Sequence, residues 1–166
     1  LVLLFGIQFH AGSDPALHAA ALVKPAVWKG EWWRLITGTL LHANFIHIAF
    51  NGIFLIQIGR EMERLAHPLL LPVVFFSAAL CGSVASLLLL PNIASVGASG
   101  GLMGLLGFLT ILGARKGRAL PRAFQQGNLA TLALITGLGL AAYYMIDNAG
   151  HLGGAAAGAL IGLAAI

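Results

Sequence analysis

Pro68 to Leu90 reads PLLLPVVFFSAALCGSVASLLLL, 23 residues without one charged side chain. A transmembrane helix needs roughly 20 predominantly apolar residues, so this stretch is long enough to cross a bilayer. The rest of the 166-residue chain has the same character: 59% of it is hydrophobic, 8% is charged, and the mean hydropathy is +0.93. A soluble globular domain carries about 25% charged residues, so this chain cannot cover a surface facing water on all sides. Six spans of roughly 20 residues would take about 120 and leave about 46 for loops, with no room for a soluble domain. The expected class is all-α: a polytopic six-helix transmembrane bundle, with residues 1–166 as a single domain.

Working outward from that run, apolar stretches divide the chain further. Leu1 to Phe9 reads as the tail of a first helix, too short to span alone. The chain opens on it without an initiator Met, which reads as a helix lacking its start. His10 to Ala43 is a long mixed stretch with Pro15, Pro25, three Trp and several charges. The second span runs from about Asn44 to Ile58 and ends in Gly59-Arg60-Glu61-Met62-Glu63-Arg64. The third stops at Pro91-Asn92. The fourth runs from Ser99 to Arg115-Lys116-Gly117-Arg118, the fifth from about Leu129 to Ile146, and the sixth from about Ala149 to Ile166. Cys81 is the lone cysteine, so no intrachain disulfide forms; within an apolar run it reads as a small packing residue.

Charge orients these spans. The net charge of +4 rests on Lys and Arg too few and scattered for a nucleic-acid face. Arg60 and Arg64 follow the second span, and Arg115, Lys116, Arg118 and Arg122 follow the fourth, on the same side by parity. Six of the nine Lys and Arg residues thus mark one face as cytoplasmic. Lys24, Lys29 and Arg34 lie in the long first loop, across the membrane.

Polar side chains inside spans are costly and point to function by default. The second span begins on the outer side with His42, His47 and Asn51, the fourth with Ser99, and the sixth with His151. Helices entering from one face hold their early residues at similar depth, so these five meet in the outer half of the bundle. Gly97-Ala98-Ser99-Gly100-Gly101 fits a G-x-S-x-G turn that exposes a hydroxyl; without a preceding strand it also fits simple helix packing. Ser99 at a helix N-terminus has free backbone N–H groups nearby for a developing negative charge. His151 is the natural base for it, unless it only caps a loop. Gly150, Gly154, Gly158 and Gly162 on the sixth helix, and Gly100 and Gly104 on the fourth, form small-residue faces that let two backbones approach. Their packing would bring Ser99 and His151 within hydrogen-bond reach.

His47 and Asn51, spaced i, i+4, share a helix face. They read either as donors to an oxyanion or as an interhelical hydrogen bond. His42, His47 and His151 are formally enough for a three-histidine zinc site, but no H-E-x-x-H is present and the second span has no acidic residue beside them; neither metal nor cofactor is expected. Asp147 lies four residues before His151 and invites a triad reading. In a short loop where a carboxylate is solvated, it reads better as a loop or helix-capping residue, as does Asn148.

These residues in this order resemble the rhomboid family of intramembrane serine proteases, across nearly the whole chain. Trp33-Arg34 resembles the family's Trp-Arg pair in the first loop. His42-Ala-Asn-Phe-Ile-His47-Ile-Ala-Phe-Asn51 resembles its H-x-x-x-x-H-x-x-x-N pattern. Gly97-Ala98-Ser99-Gly100 matches the G-x-S-G nucleophile motif, and His151 followed by Gly154 and Gly158 matches the last helix. The resemblance implies Ser99 as nucleophile and His151 as general base of a dyad without an acidic third member. It implies an oxyanion hole of His47, Asn51 and the Ser99 N–H, with His42, Trp33, Arg34 and the glycines in support. Glu63 resembles an acidic residue at the family's second cytoplasmic helix end. Met103 departs from the pattern, standing where some members place an aromatic ring on the catalytic histidine.

The implied function is serine endopeptidase action on transmembrane protein substrates near the outer face. The expected setting is the lipid bilayer of a bacterial inner membrane, with the site opening to the periplasmic side. Two other readings share the glycine faces and basic loops: a non-catalytic binder of membrane clients, and a small transporter or channel. A binder would tolerate loss of Ser99, and a channel would need polar residues in the cytoplasmic half, where Gln57 and Thr110 are nearly alone.

Overall fold

A computed structural model of the chain describes residues 2–10, 12–90 and 94–165, apart from the side chain of Arg118. Leu1, Ile166 and the Pro91-Asn92 end of the third span lie outside these residues. Among the described residues the architecture is all-α, with one isolated antiparallel bridge between Leu22 and Ser95. Helix α1 is Val2–His10; the first loop then winds through α2 (Ser13–Ala20), α3 (Lys24–Trp28) and α4 (Arg34–Thr37), the last running into a 3-10 turn at Gly38–Leu40. Five long helices follow: α5 (Phe45–Leu65), α6 (Leu70–Leu89), α7 (Ser99–Lys116), α8 (Arg122–Ala141) and α9 (Asn148–Ala165).

Three boundaries differ from the sequence reading, two of them for one physical reason. Helix α5 continues to Leu65 through the Arg60–Arg64 patch, and α8 starts at Arg122 rather than Leu129. Arg, Glu and Gln are good helix formers, so a polar patch beside an apolar run extends the helix instead of ending it. Arg64 pairs with Glu61 one turn earlier, and Gln125 of α8 donates to the carbonyl of Gly113 at 2.6 Å. Helix α8 also stops at Ala141, which leaves Ala142 to Ile146 as a turn towards α9.

Among the described residues α6, with a mean hydropathy of 2.0, is long and apolar enough to cross a membrane on its own. The segments Arg34–Leu40 and Phe45–Leu65 meet that test jointly across a 90° bend. The other long helices are diluted by what they carry: Arg115 and Lys116 in the last turn of α7, Gln125, Gln126 and Asn128 in α8, and Asn148, His151 and many glycines in α9.

Helix α7 is the centre. It is buried from Gly101 to Leu109 and again at Leu112 and Gly113, and a helix apolar all round belongs in an interior. Helices α6 and α9 pack against it most extensively, with α9 running in its direction and α6 antiparallel. The α7–α9 approach depends on glycine. A Cβ on Gly154 would stand 2.8 Å from the carbonyl carbon of Gly100, and one on Gly158 would stand 2.7 Å from Cα of Gly104. Helix α6 enters the same seam at Gly82, where a Cβ would meet the Gly150 carbonyl oxygen at 2.5 Å. The outward faces are apolar, with Phe50, Ile53 and Ile56 of α5, Phe76 and Leu88 of α6, and Leu134 and Leu138 of α8 all exposed.

Candidate active site

The glycine seam sets the register of two side chains. Ser99 opens α7 and His151 lies in the first turn of α9, so the parallel approach of the two helices puts both at the same end. The Nε2 of His151 lies 2.8 Å from the Oγ of Ser99, within the range of a nucleophile–base hydrogen bond. Both residues are shielded, His151 buried and Ser99 half-buried. The Nδ1 of His151 is buried with no partner among the described residues. Ser99 follows a turn at Gly97, whose φ of +118° is a conformation that side chains disfavour. A Cβ there would also stand 2.7 Å from Nε2 of His47, while the Gly97 N–H donates to the Gly38 carbonyl at 3.0 Å.

His47 and Asn51 come to the site from the first turns of α5. Asn44 caps that helix, its side-chain oxygen accepting the His47 N–H at 2.9 Å. A cavity of about 630 Å³ between α5, α7, α8 and the turn before α9 is lined by His47, Asn51, Ser99 and His151 together. The Nδ2 of Asn51 is a buried donor without a partner among the described residues. Met103, one turn beyond Ser99, is buried and lines the same cavity. Among the described residues no three His, Cys, Asp or Glu side chains cluster as a metal site.

The supporting residues lie around this centre. His42 is fully buried, its ring edge-on to His47 with centroids 5.2 Å apart. Its backbone is clasped by Gln8 of α1, which donates to the His42 carbonyl at 2.8 Å and accepts its N–H at 3.1 Å. Arg34 is buried and ties the first loop together. It donates to Glu31 at 2.7 Å, to the Ala21 carbonyl at 2.8 Å and to the His18 carbonyl at 3.0 Å. Trp33, beside Trp28 and Trp32, is instead exposed, as an interfacial aromatic belt requires. Glu63 is exposed in the last turn of α5, away from the site.

Asp147 takes the helix-capping role read in the sequence, but it is half-buried rather than solvated. It caps α9, with Oδ1 accepting the Gly150 N–H at 2.8 Å. Its Oδ2 accepts the hydroxyls of Ser86 and Ser95, and Lys24 of the first loop donates to Ser95 Oγ at 2.6 Å. Burial pushes the Lys24 ammonium below the ordinary lysine range, and the Asp147 carboxylate opposes that shift. Sequence reasoning missed Gln8, Lys24, Ser86 and Ser95. The signal for Ser86 was present as a hydroxyl inside the longest apolar run.

Residues 29–166 match the model of the Rhomboid domain family. The chain belongs to the rhomboid family. The rhomboid protease GluP of Bacillus subtilis (strain 168) is 30% identical over 93% of this chain and 31% of its own length. RHOMBOID-like protein 4 of Arabidopsis thaliana is 34% identical over 84% of the chain and 36% of its own length. Rhomboid-like protease 1 of Toxoplasma gondii is 31% identical over 89% of the chain and 52% of its own length. The chain therefore spans about a third of the first two relatives. Membership places this rhomboid chain among integral membrane proteins, in keeping with the apolar outward faces of α5, α6 and α8.

Proposed function

We propose that this chain is the core of an intramembrane serine endopeptidase that cleaves transmembrane proteins near the outer membrane face, with Ser99 as nucleophile and His151 as general base. The 2.8 Å approach of His151 Nε2 to Ser99 Oγ carries the reading. In the first half-reaction Ser99 Oγ attacks the carbonyl carbon of the scissile peptide bond and His151 Nε2 takes its proton. The negative charge moves to the carbonyl oxygen. Asn51, His47 and the Ser99 N–H, a first-turn donor with no partner within its own helix, are the groups available to receive it. Collapse breaks the C–N bond, and His151 returns the proton to the departing amine. Water then attacks the acyl-serine with His151 again as base, releasing the acid and restoring Ser99.

The cavity of about 630 Å³ beside Ser99 and His151 is the space proposed for water and an unwound substrate segment. Helical amides are shielded by their own hydrogen bonds, so the preferred substrates carry helix-breaking and small residues at the cut. The proposed arrangement is a single domain over residues 1–166 in which α1 and α5 to α9 supply six spans. The basic residues Arg60, Arg64, Arg115, Lys116 and Arg122 face the cytoplasm, and the dyad opens to the periplasmic side of a bacterial inner membrane. The partners are transmembrane substrates and the lipid bilayer, with no role for nucleic acid. The test is labelling of purified protein with a fluorophosphonate probe. Wild type labels while Ser99→Ala and His151→Ala do not; equal labelling of all three would sink the dyad.

A further inference from the structure

The protease reading uses Ser99 and His151, yet the bond between them joins two segments far apart in the chain. Something must hold the turn that delivers Ser99 against the helix that carries His151. The glycine seam fixes how closely α7 and α9 approach but places no polar anchor at their outer end. The Asp147 cluster lies there. Through Oδ1 the carboxylate caps α9 one turn before His151; through Oδ2 it holds Ser95, four residues before Ser99, and Ser86 on α6. Ser95 is itself bridged by its backbone to Leu22 of the first loop, at 3.0 and 3.1 Å, and takes the Lys24 ammonium on its hydroxyl. Asp147 also lines the cavity beside Ser99 and His151, although it makes no bond to the imidazole.

Resting on the dyad reading, we propose that Asp147 and Ser95 form a positioning clasp for the reaction: a single carboxylate that holds the Ser99 turn and the His151 helix in one register. The clasp acts through Ser99 and His151 and touches no reacting atom. A role limited to helix capping predicts something different. Capping needs only Oδ1, which asparagine supplies as well as aspartate, and it does not involve Ser95.

The experiment measures fluorophosphonate labelling of Ser99 against probe concentration, which separates the maximal rate from the half-saturating concentration. Thermal melting in detergent checks that each variant is folded. Ser95→Ala and Asp147→Asn are expected to lower the maximal rate by roughly 10- to 100-fold, the scale on which small misplacements act, with half-saturation unchanged. Ser95→Thr, which restores the hydroxyl, is expected to return the rate towards wild type. Wild-type maximal rates in both Ser95→Ala and Asp147→Asn would overturn the clasp, as would Ser95→Thr remaining as slow as Ser95→Ala. If one variant fails to fold, the other decides; if both fail, the cluster is a folding element and the proposal is wrong. Labelling of wild type that does not depend on Ser99 is a separate outcome, which removes the protease reading and the clasp with it.

Discussion

Gly97 and His47 occupy each other's space. The α-carbon of Gly97 faces the His47 ring so closely that a methyl group on it would stand 2.7 Å from both Cε1 and Nε2, and the glycine's φ of +118° excludes ordinary side chains independently. Gly97→Ala therefore meets two obstacles at once. The backbone strain alone is worth about 1–3 kcal/mol, and relief of the clash would push His47 away from the cavity. The expected result is a lower melting temperature in detergent together with a loss of Ser99 labelling beyond what the residual folded fraction explains. A variant that labels at the wild-type rate would show that His47 has no part in the reaction.

The α7–α9 seam makes a second prediction. Gly158 faces Gly104 backbone to backbone, with Cα of Gly104 2.7 Å from where a Cβ would sit. No flexible side chain is there to give way. Overpacking of a close-packed interior costs typically 1–3 kcal/mol, so Gly158→Val should destabilise by at least the upper end of that range. Gly137→Ala on α8, where a Cβ meets nothing within 4 Å, is the matched control and should gain stability, because alanine is the better helix former. Equal melting temperatures for the two variants would contradict the seam.

The glycine seam and the approach of Ser99 to His151 were legible in the sequence because periodicity carries them. Glycines every four residues on the last helix and a polar residue at the same end of three spans are visible without coordinates. The helix boundaries at Leu65 and Arg122 were not, since a run such as Arg60 to Arg64 has the same composition in a loop as in an amphipathic helix. The Asp147 cluster was hidden for another reason. Ser86 and Ser95 lie 61 and 52 residues from Asp147, and Gln8 lies 34 from His42. Such pairings follow from how the helices pack, and no local pattern announces them.

Orientation can be tested directly. In the proposed topology, which follows the positive-inside rule, the ends of α5 and α7 lie in the cytoplasm, opposite the Tyr143–Met145 turn. In a Cys81→Ser background expressed in intact bacteria, Tyr144→Cys should react with a membrane-impermeant maleimide. Glu63→Cys and Arg115→Cys, both exposed positions, should react only after the membrane is opened. The reverse pattern would invert the proposed topology and move the dyad to the cytoplasmic side.

Asn51 separates function from stability most cleanly. Its Nδ2 is buried without a hydrogen-bond partner among the described residues, a state that destabilises the resting fold because the desolvated donor gains nothing in return. In the proposed reaction an oxyanion forming at Ser99 would supply the missing acceptor, so this donor would act on the transition state rather than the ground state. Asn51→Ala should thus leave the melting temperature unchanged or slightly raised. It should slow cleavage by about 10²–10³-fold, the loss seen when one oxyanion donor is removed, and the slowing should appear in kcat with KM little altered. Peptide cleavage in detergent alongside thermal melting reads both quantities on one preparation. A variant that loses stability and activity in proportion would make Asn51 a packing residue and leave His47 and the Ser99 N–H as the oxyanion donors.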